Sequence, residues 1–145
     1  RQDFTQTFIW PVIGRISGVY GSQRILNGIP KRPHYGVDIA APTGTPVKAP
    51  ADGVVSLVHD DMFYSGGTLI VDHGHGITTS YLHLDKVLAK AGQTVRQGEV
   101  IALVGATGRV TGPHLHWGMN WFDTRLDPAL MVPPMPGRRP SENPP

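Results

Sequence analysis

Seven histidines stand out in this 145-residue chain, in which charged residues make up only 17%. The sharpest group is His114-Leu115-His116. Residues two apart on a strand face the same side, so both imidazoles would project together, from Cα atoms roughly 6.6 Å apart. Two ordinary histidines, one of them solvated, share that pattern. The second group is His34-Tyr35-Gly36-Val37-Asp38. Imidazole and carboxylate both suit zinc, but a fully extended chain holds residues four apart at about 13 Å. Sharing one ion needs a bend, for which Gly36 leaves room. Otherwise Asp38 caps a turn and His34 lies on the surface. Together His34, Asp38 and His116 supply two imidazoles and a carboxylate, the composition of a catalytic zinc (Zn2+) site with an open fourth position. The fold has to join Asp38 to His116, which lie 78 residues apart. His83, in Ser80-Tyr81-Leu82-His83-Leu84, is a further candidate, expected on a strand with Tyr81 on the same face.

The chain has no His-Glu-x-x-His, so the glutamate base of that metalloprotease class is missing. Imidazole, with an ordinary pKa near neutrality, is then the group for proton transfer. Two other histidine features read as structural. His73-Gly74-His75 is expected at a hairpin tip, where the side chains need not converge. His59, beside Asp60 and Asp61, reads as a surface residue at a strand end. Burial is expected for Trp117 and Trp121.

The elements that position these residues are short. Eighteen Gly and 14 Pro leave only Val54–Ser65 and Ile77–Ala91 as uninterrupted stretches of more than ten residues, which excludes a helical bundle. Strands are expected at Arg15–Tyr20, Pro46–Ala49, Gly53–His59, Thr68–Asp72, Ile77–Leu84, Val100–Gly105 and His114–Trp121, where β-branched and apolar residues run between Gly, Pro and Asp. Ser22–Pro33 reads as a loop, and Leu84–Ala91 as one or two helical turns. Asp127 is expected to cap a final turn that opens with Pro128. Six of the prolines fall in residues 133–145, which are expected to form a disordered tail behind one domain spanning residues 1–132.

The charge balance is quiet. Thirteen basic residues face eleven acidic ones and are scattered, so no nucleic-acid footprint is present. There is no cysteine, hence no disulfide framework and no thiolate site. No apolar run approaches the roughly 18 residues of a membrane span. The chain opens on Arg1 without a signal-peptide pattern, so an export signal or anchor is expected outside it.

Two blocks, Val47-Lys48-Ala49-Pro50-Ala51-Asp52-Gly53-Val54-Val55 and Gly92-Gln93-Thr94-Val95-Arg96-Gln97-Gly98-Glu99-Val100-Ile101-Ala102-Leu103-Val104-Gly105, resemble the barrel-sandwich hybrid architecture of biotinyl and lipoyl carriers and of some phosphocarriers. That resemblance implies an all-β sandwich of short antiparallel strands without fixing a chemistry. A carrier domain needs a lysine at a hairpin tip, and Lys48, Lys86 and Lys90 are not so placed. A phosphocarrier would use His83 and His114 and leave His34 and Asp38 unexplained.

The order His34-x-x-x-Asp38, Tyr81-Leu82-His83-Leu84, Thr111-Gly112-Pro113-His114-Leu115-His116 is more specific. With Thr45-Pro46-Val47-Lys48-Ala49, Ala51-Asp52-Gly53-Val54-Val55 and Gly98-Glu99-Val100-Ile101, it resembles the lysostaphin/LytM-type zinc endopeptidases over roughly residues 15–131. The resemblance implies zinc ligation by His34, Asp38 and His116. It implies that His83 and His114 act on the water or the oxyanion without binding metal. Arg24 matches a position where the family often carries an arginine near the groove; a structural role fits it equally. The implied substrate is a peptide cross-link of bacterial peptidoglycan, with a D-alanyl–diaminopimelate bond favoured over a glycine bridge. The implied location is the periplasm or cell envelope.

Overall fold

A computed structural model describes residues 7–18, 23–26, 29–33, 36–62, 66–106 and 112–136. The chain begins with β1 (Arg15–Gly18), the hairpin β2 (Gln23–Leu26) and β3 (Ile29–Pro33), β4 (Val37–Ala40) and β5 (Pro46–Lys48). The long strands β6 (Gly53–Met62), β7 (Gly66–Asp72) and β8 (Ile77–Val87) follow, with β9 (Thr94–Val95) and β10 (Val100–Val104) after them. The described chain ends with β11 (His114–Trp121), β12 (Thr124–Leu126) and one 3-10 turn at Pro128–Met131.

The expected all-β, antiparallel architecture is present. Ten of the strands form a single sheet whose main path runs β1-β4-β11-β8-β7-β6-β9, with β12 pairing β11 off that path. The sheet branches at β8, whose second half pairs with β10, and β10 in turn pairs with β5. The segment expected to be a loop, Ser22–Pro33, contains the β2–β3 hairpin. The helical turns expected over Leu84–Ala91 are absent: β8 runs on to Val87 because β10 offers its backbone partners there. Asp127 does cap the last turn, its Oδ1 accepting from Ala129 N at 3.0 Å.

The core lies on the inner face of the main sheet. Ile39, Leu69, Val71, Tyr81, Leu115 and Trp117 project there and join Val47, Ile101 and Val104 from the β5–β10 arm. The N-terminal arm closes one side with Phe8, Trp10 and Val12. Its backbone is tied by Ile9 N to Pro50 O and by Lys48 N to Pro11 O, both at 2.9 Å. Trp10 stacks at a tilt against Trp117, with ring centroids 5.8 Å apart. As expected, Trp117 is fully buried; Trp121, at the end of β11, is half exposed, with the Phe122 ring edge-on to it.

The segment expected to be a loose tail begins with two contacts to the domain. Trp10 Nε1 donates to Pro133 O at 2.7 Å, and Met135 is 4% exposed. Residues 137–145 lie outside the described residues. Removing the Met135 side chain opens a cavity over this seam. Met135→Ala is therefore expected to cost about 2–3 kcal/mol in denaturant melts, whereas a freely solvated tail would leave the melt unchanged.

Candidate metal centre

The site is built on one register. In the antiparallel β4–β11 ladder, His116 faces Asp38 and His114 faces Ala40. The neighbouring pairs, Val37 with Trp117 and Ile39 with Leu115, point into the core. Alternation then sends Asp38, His114 and His116 to the opposite face. His116 Nδ1 lies 2.9 Å from Asp38 Oδ1, and His114 Nε2 lies 3.8 Å from the same oxygen. The two imidazoles expected to project together therefore converge on one carboxylate.

His83 reaches the cluster by breaking alternation. Tyr81 is buried opposite Trp117, and Leu82 pairs with His116 on the other face. A regular strand would return His83 to the core beside Tyr81, as the sequence alone suggests. Instead His83 has φ +65°, and its ring lies 5.1 Å from that of His114 and 6.2 Å from that of His116. The ladder shows the cause. Between the pairs Gly67–Leu84 and Leu69–Tyr81, β8 spends one more residue than β7, which is a bulge. The bulge re-aims one imidazole, and Leu84 falls back into the core.

Two glycines serve this cluster by leaving space. A Cβ on Gly36 would lie 2.5 Å from His116 Nε2, and one on Gly18 would lie 2.8 Å from Asp38 Oδ2. The bend expected between His34 and Asp38 involves His34 and Tyr35, which lie outside the described residues; what the described residues show of Gly36 is its tight fit to the His116 ring. The need is close approach of backbone to imidazole, a signal that the sequence does not carry.

The ring of His114 has a fixed tautomer. Its Nδ1 lies 2.9 Å from the Gly112 carbonyl, which can only accept. Nδ1 therefore carries the proton in the neutral ring. The unprotonated Nε2 faces Asp38. His34 and Arg24 do not come into the picture: His34 and the side chain of Arg24 lie outside the described residues.

The donor chemistry fits zinc. An imidazole nitrogen and a carboxylate oxygen 2.9 Å apart sit near the ~3.3 Å edge of a tetrahedron with bonds of about 2.0 Å. Among the described residues no three such side chains are arranged to hold a metal, and the expected third donor, His34, is outside them.

Residues 32–128 match the sequence pattern of peptidase family M23. The chain belongs to this family. The M23 match sets aside the carrier and phosphocarrier alternatives. The chain is 48% identical over 105 residues to the peptidoglycan DD-endopeptidase ShyA of Vibrio cholerae, covering 71% of this chain and 24% of ShyA. Thus it spans about a quarter of that protein's length. Among solved structures it superposes on a zinc-containing peptidase from Vibrio cholerae with a TM-score of 0.78 and 39% identity, over 83% of this chain and 39% of that one. It also superposes on the catalytic domain of lysostaphin from Staphylococcus simulans, with a TM-score of 0.70 and 31% identity, over 81% of this chain and 90% of that domain.

The other described histidines of this M23 domain, His59, His73 and His75, stand apart from the cluster. His59 is exposed, as expected, but not at a strand end, because β6 runs on to Met62. The β7–β8 hairpin does turn at residues 73–76, with Gly74, His75 and Gly76 all at positive φ. His75 is exposed there, but His73 is buried, against the edge of the Phe8 ring and between the Asp52 carbonyl and the Thr79 hydroxyl. Burial pushes its pKa below the ordinary 6.5, only partly opposed by the hydrogen bond to Asp52 and by the Asp72 and Asp52 carboxylates.

The strain at His83 and the burial of His73 each have a measurable consequence. A left-handed backbone costs an ordinary side chain about 1–2 kcal/mol, and Asn tolerates it best after Gly. His83→Val is expected to be less stable than His83→Asn by about that amount in chemical denaturation; equal stabilities would mean that the bulge relaxes freely. For His73, the unfolded chain binds the proton first. The stability held above pH 6.5 is lost as pH falls from there through the depressed folded pKa. Over that window the wild-type protein is expected to lose stability more steeply than His73→Gln, by at most about 1.4 kcal/mol per pH unit. Parallel stability curves from pH 5 to 8 would show that His73 does not titrate with unfolding.

Proposed function

We propose that this domain is a zinc endopeptidase that hydrolyses peptide cross-links of bacterial peptidoglycan outside the cytoplasm. The observation that carries the reading is the convergence of Asp38, His116, His114 and His83 on one face of the sheet, through the β4–β11 register and the β8 bulge. The identity with ShyA, a peptidoglycan DD-endopeptidase, supports this substrate class and favours a D-alanyl–diaminopimelate bond. The same likeness supports a place in the periplasm or cell envelope.

His34, Asp38 and His116 would hold the metal. Zinc bound there would polarise a scissile carbonyl and lower the pKa of water. Each side chain has a distinct task. Asp38 Oδ1 and His116 Nδ1 lie close enough to share one ion, and Gly36 leaves room for the far side of the His116 ring. His114, with Nδ1–H committed to the Gly112 carbonyl, presents Nε2 as the atom that takes and returns a proton. His83, against both rings, is placed to stabilise a developing oxyanion as a hydrogen-bond donor.

Zinc stoichiometry and turnover on the same variants test this division. The wild-type protein is expected to carry about one zinc and to digest cross-linked muropeptides. Asp38→Ala and His116→Ala should lose metal and activity together. His114→Ala and His83→Asn should keep zinc and lose rate by about 10²–10⁴-fold. Retention of zinc by His116→Ala with its loss from His114→Ala would reverse the two roles, and unchanged turnover in all four variants would sink the hydrolase reading.

A further inference from the structure

The chemistry above makes no use of His73, although this imidazole is buried and its hydrogen bonds have a fixed direction. The Asp52 carbonyl, 2.8 Å from Nδ1, can only accept, so Nδ1 carries the proton. In the neutral ring Nε2 is then an acceptor, taking the Thr79 hydroxyl proton at 2.8 Å. Thr79, its own proton committed, accepts from the Tyr81 hydroxyl at 2.6 Å. The order runs one way, from Tyr81 through Thr79 and His73 to the Asp52 carbonyl. At its upper end the buried indole N–H of Trp117 approaches the Tyr81 oxygen closely enough to favour the ionised phenol, yet short of hydrogen-bonding geometry. Burial nevertheless dominates and drives the Tyr81 pKa upward, so its hydroxyl remains a donor.

This chain ties the loop before β6 and the β7–β8 turn to β8, at the strand where the site is decided. Tyr81 faces Trp117 in the β8–β11 register, one step from the pair of Leu82 with His116 and two residues before the bulge at His83. A one-residue slip of β8 would turn Thr79 and Tyr81 out of the core and leave His73 Nε2 unmatched.

We propose that His73, Thr79 and Tyr81 are positioning residues for the metal centre: their one-directional hydrogen-bond chain holds the β8–β11 register that brings His83 to His114 and His116. The activity and zinc readouts of this proposal rest on the zinc-peptidase reading, whereas its chemical-shift readouts do not.

Two substitutions separate positioning from simple filling of space. Asparagine puts an amide nitrogen near the place of His73 Nδ1, and glutamine puts an amide oxygen near the place of Nε2. His73→Gln thus keeps an acceptor for Thr79, whereas His73→Asn keeps only the bond to Asp52. Nitrogen shifts of wild-type His73 should report the Nδ1–H tautomer at neutral pH; the opposite tautomer would overturn the chain. His73→Asn is expected to lower kcat on cross-linked muropeptides, with KM unchanged, and to weaken zinc affinity, each by about tenfold. His73→Gln should recover most of both. Tyr81→Phe, which fills the same space without the first donor, should match His73→Asn and keeps the test open if a His73 variant fails to fold. Equal losses in the two His73 variants, or wild-type zinc affinity and kcat in Tyr81→Phe, would overturn the proposal. A wild-type protein that binds no zinc and cuts no muropeptide would instead overturn the functional reading. The ring shifts of His83 and His116 in Tyr81→Phe then decide, since unchanged shifts rule out positioning.

Discussion

The pairing of Asp38 with His116 across two antiparallel strands is the constraint on which the rest depends. The side-chain period of a strand is two, so this single register settles which face carries chemistry and which carries packing. With Asp38 opposite His116, Val37 meets Trp117 and Ile39 meets Leu115 in the core. A shift by one residue would press a carboxylate and two imidazoles into the apolar core and expose a tryptophan, at a large cost in desolvation and lost apolar burial. The site is therefore protected by the core beneath it. Removing metal would not remove the forces that hold Asp38 and His116 together.

Strand β8 serves three partners and spends strain to do so. Its first half is clamped between β7 and β11, and its second half leaves with β10. The change occurs at the bulge, where His83 adopts the left-handed conformation. Strained non-glycine backbone persists only where its surroundings over-determine it. Here the clamp is Tyr81 in the core on one side and Leu84 in the core on the other. The bulge converts a branch in the sheet into the aim of an imidazole.

The polar chain inside the core has the same logic at a different scale. Apolar packing alone tolerates rearrangement, because most hydrophobic contacts are non-directional. A buried imidazole, a threonine and a tyrosine with ordered protons accept only one arrangement. Placing the threonine and the tyrosine on β8 beside the bulge, with the imidazole in the turn before it, puts directional bonds where a slip would do most harm. His73 and His75 show how one motif divides: the first is buried against Phe8 and Thr79, and the second is exposed at a left-handed turn position.

The sequence alone determined the strand-rich class, the even spacing of His114 and His116, and the donor types at Asp38, His83, His114 and His116. Those features are local, since glycine and proline density excludes long helices and a two-residue spacing fixes a shared face. It also placed the cap at Asp127 and the hairpin around Gly74. It misjudged elements whose state depends on partners distant in the chain. The end of β8 is extended because β10 pairs with it, and Met135 is buried because Trp10 and its neighbours form a seam over 120 residues away. Only the tertiary structure could show that His83 leaves the face of Tyr81, since a bulge is a mismatch between two strands and is written in neither one alone. Likewise, the need for Gly36 appears only once the His116 ring lies against it. Spacing along the chain fixes which groups can act; register across the sheet decides which of them meet.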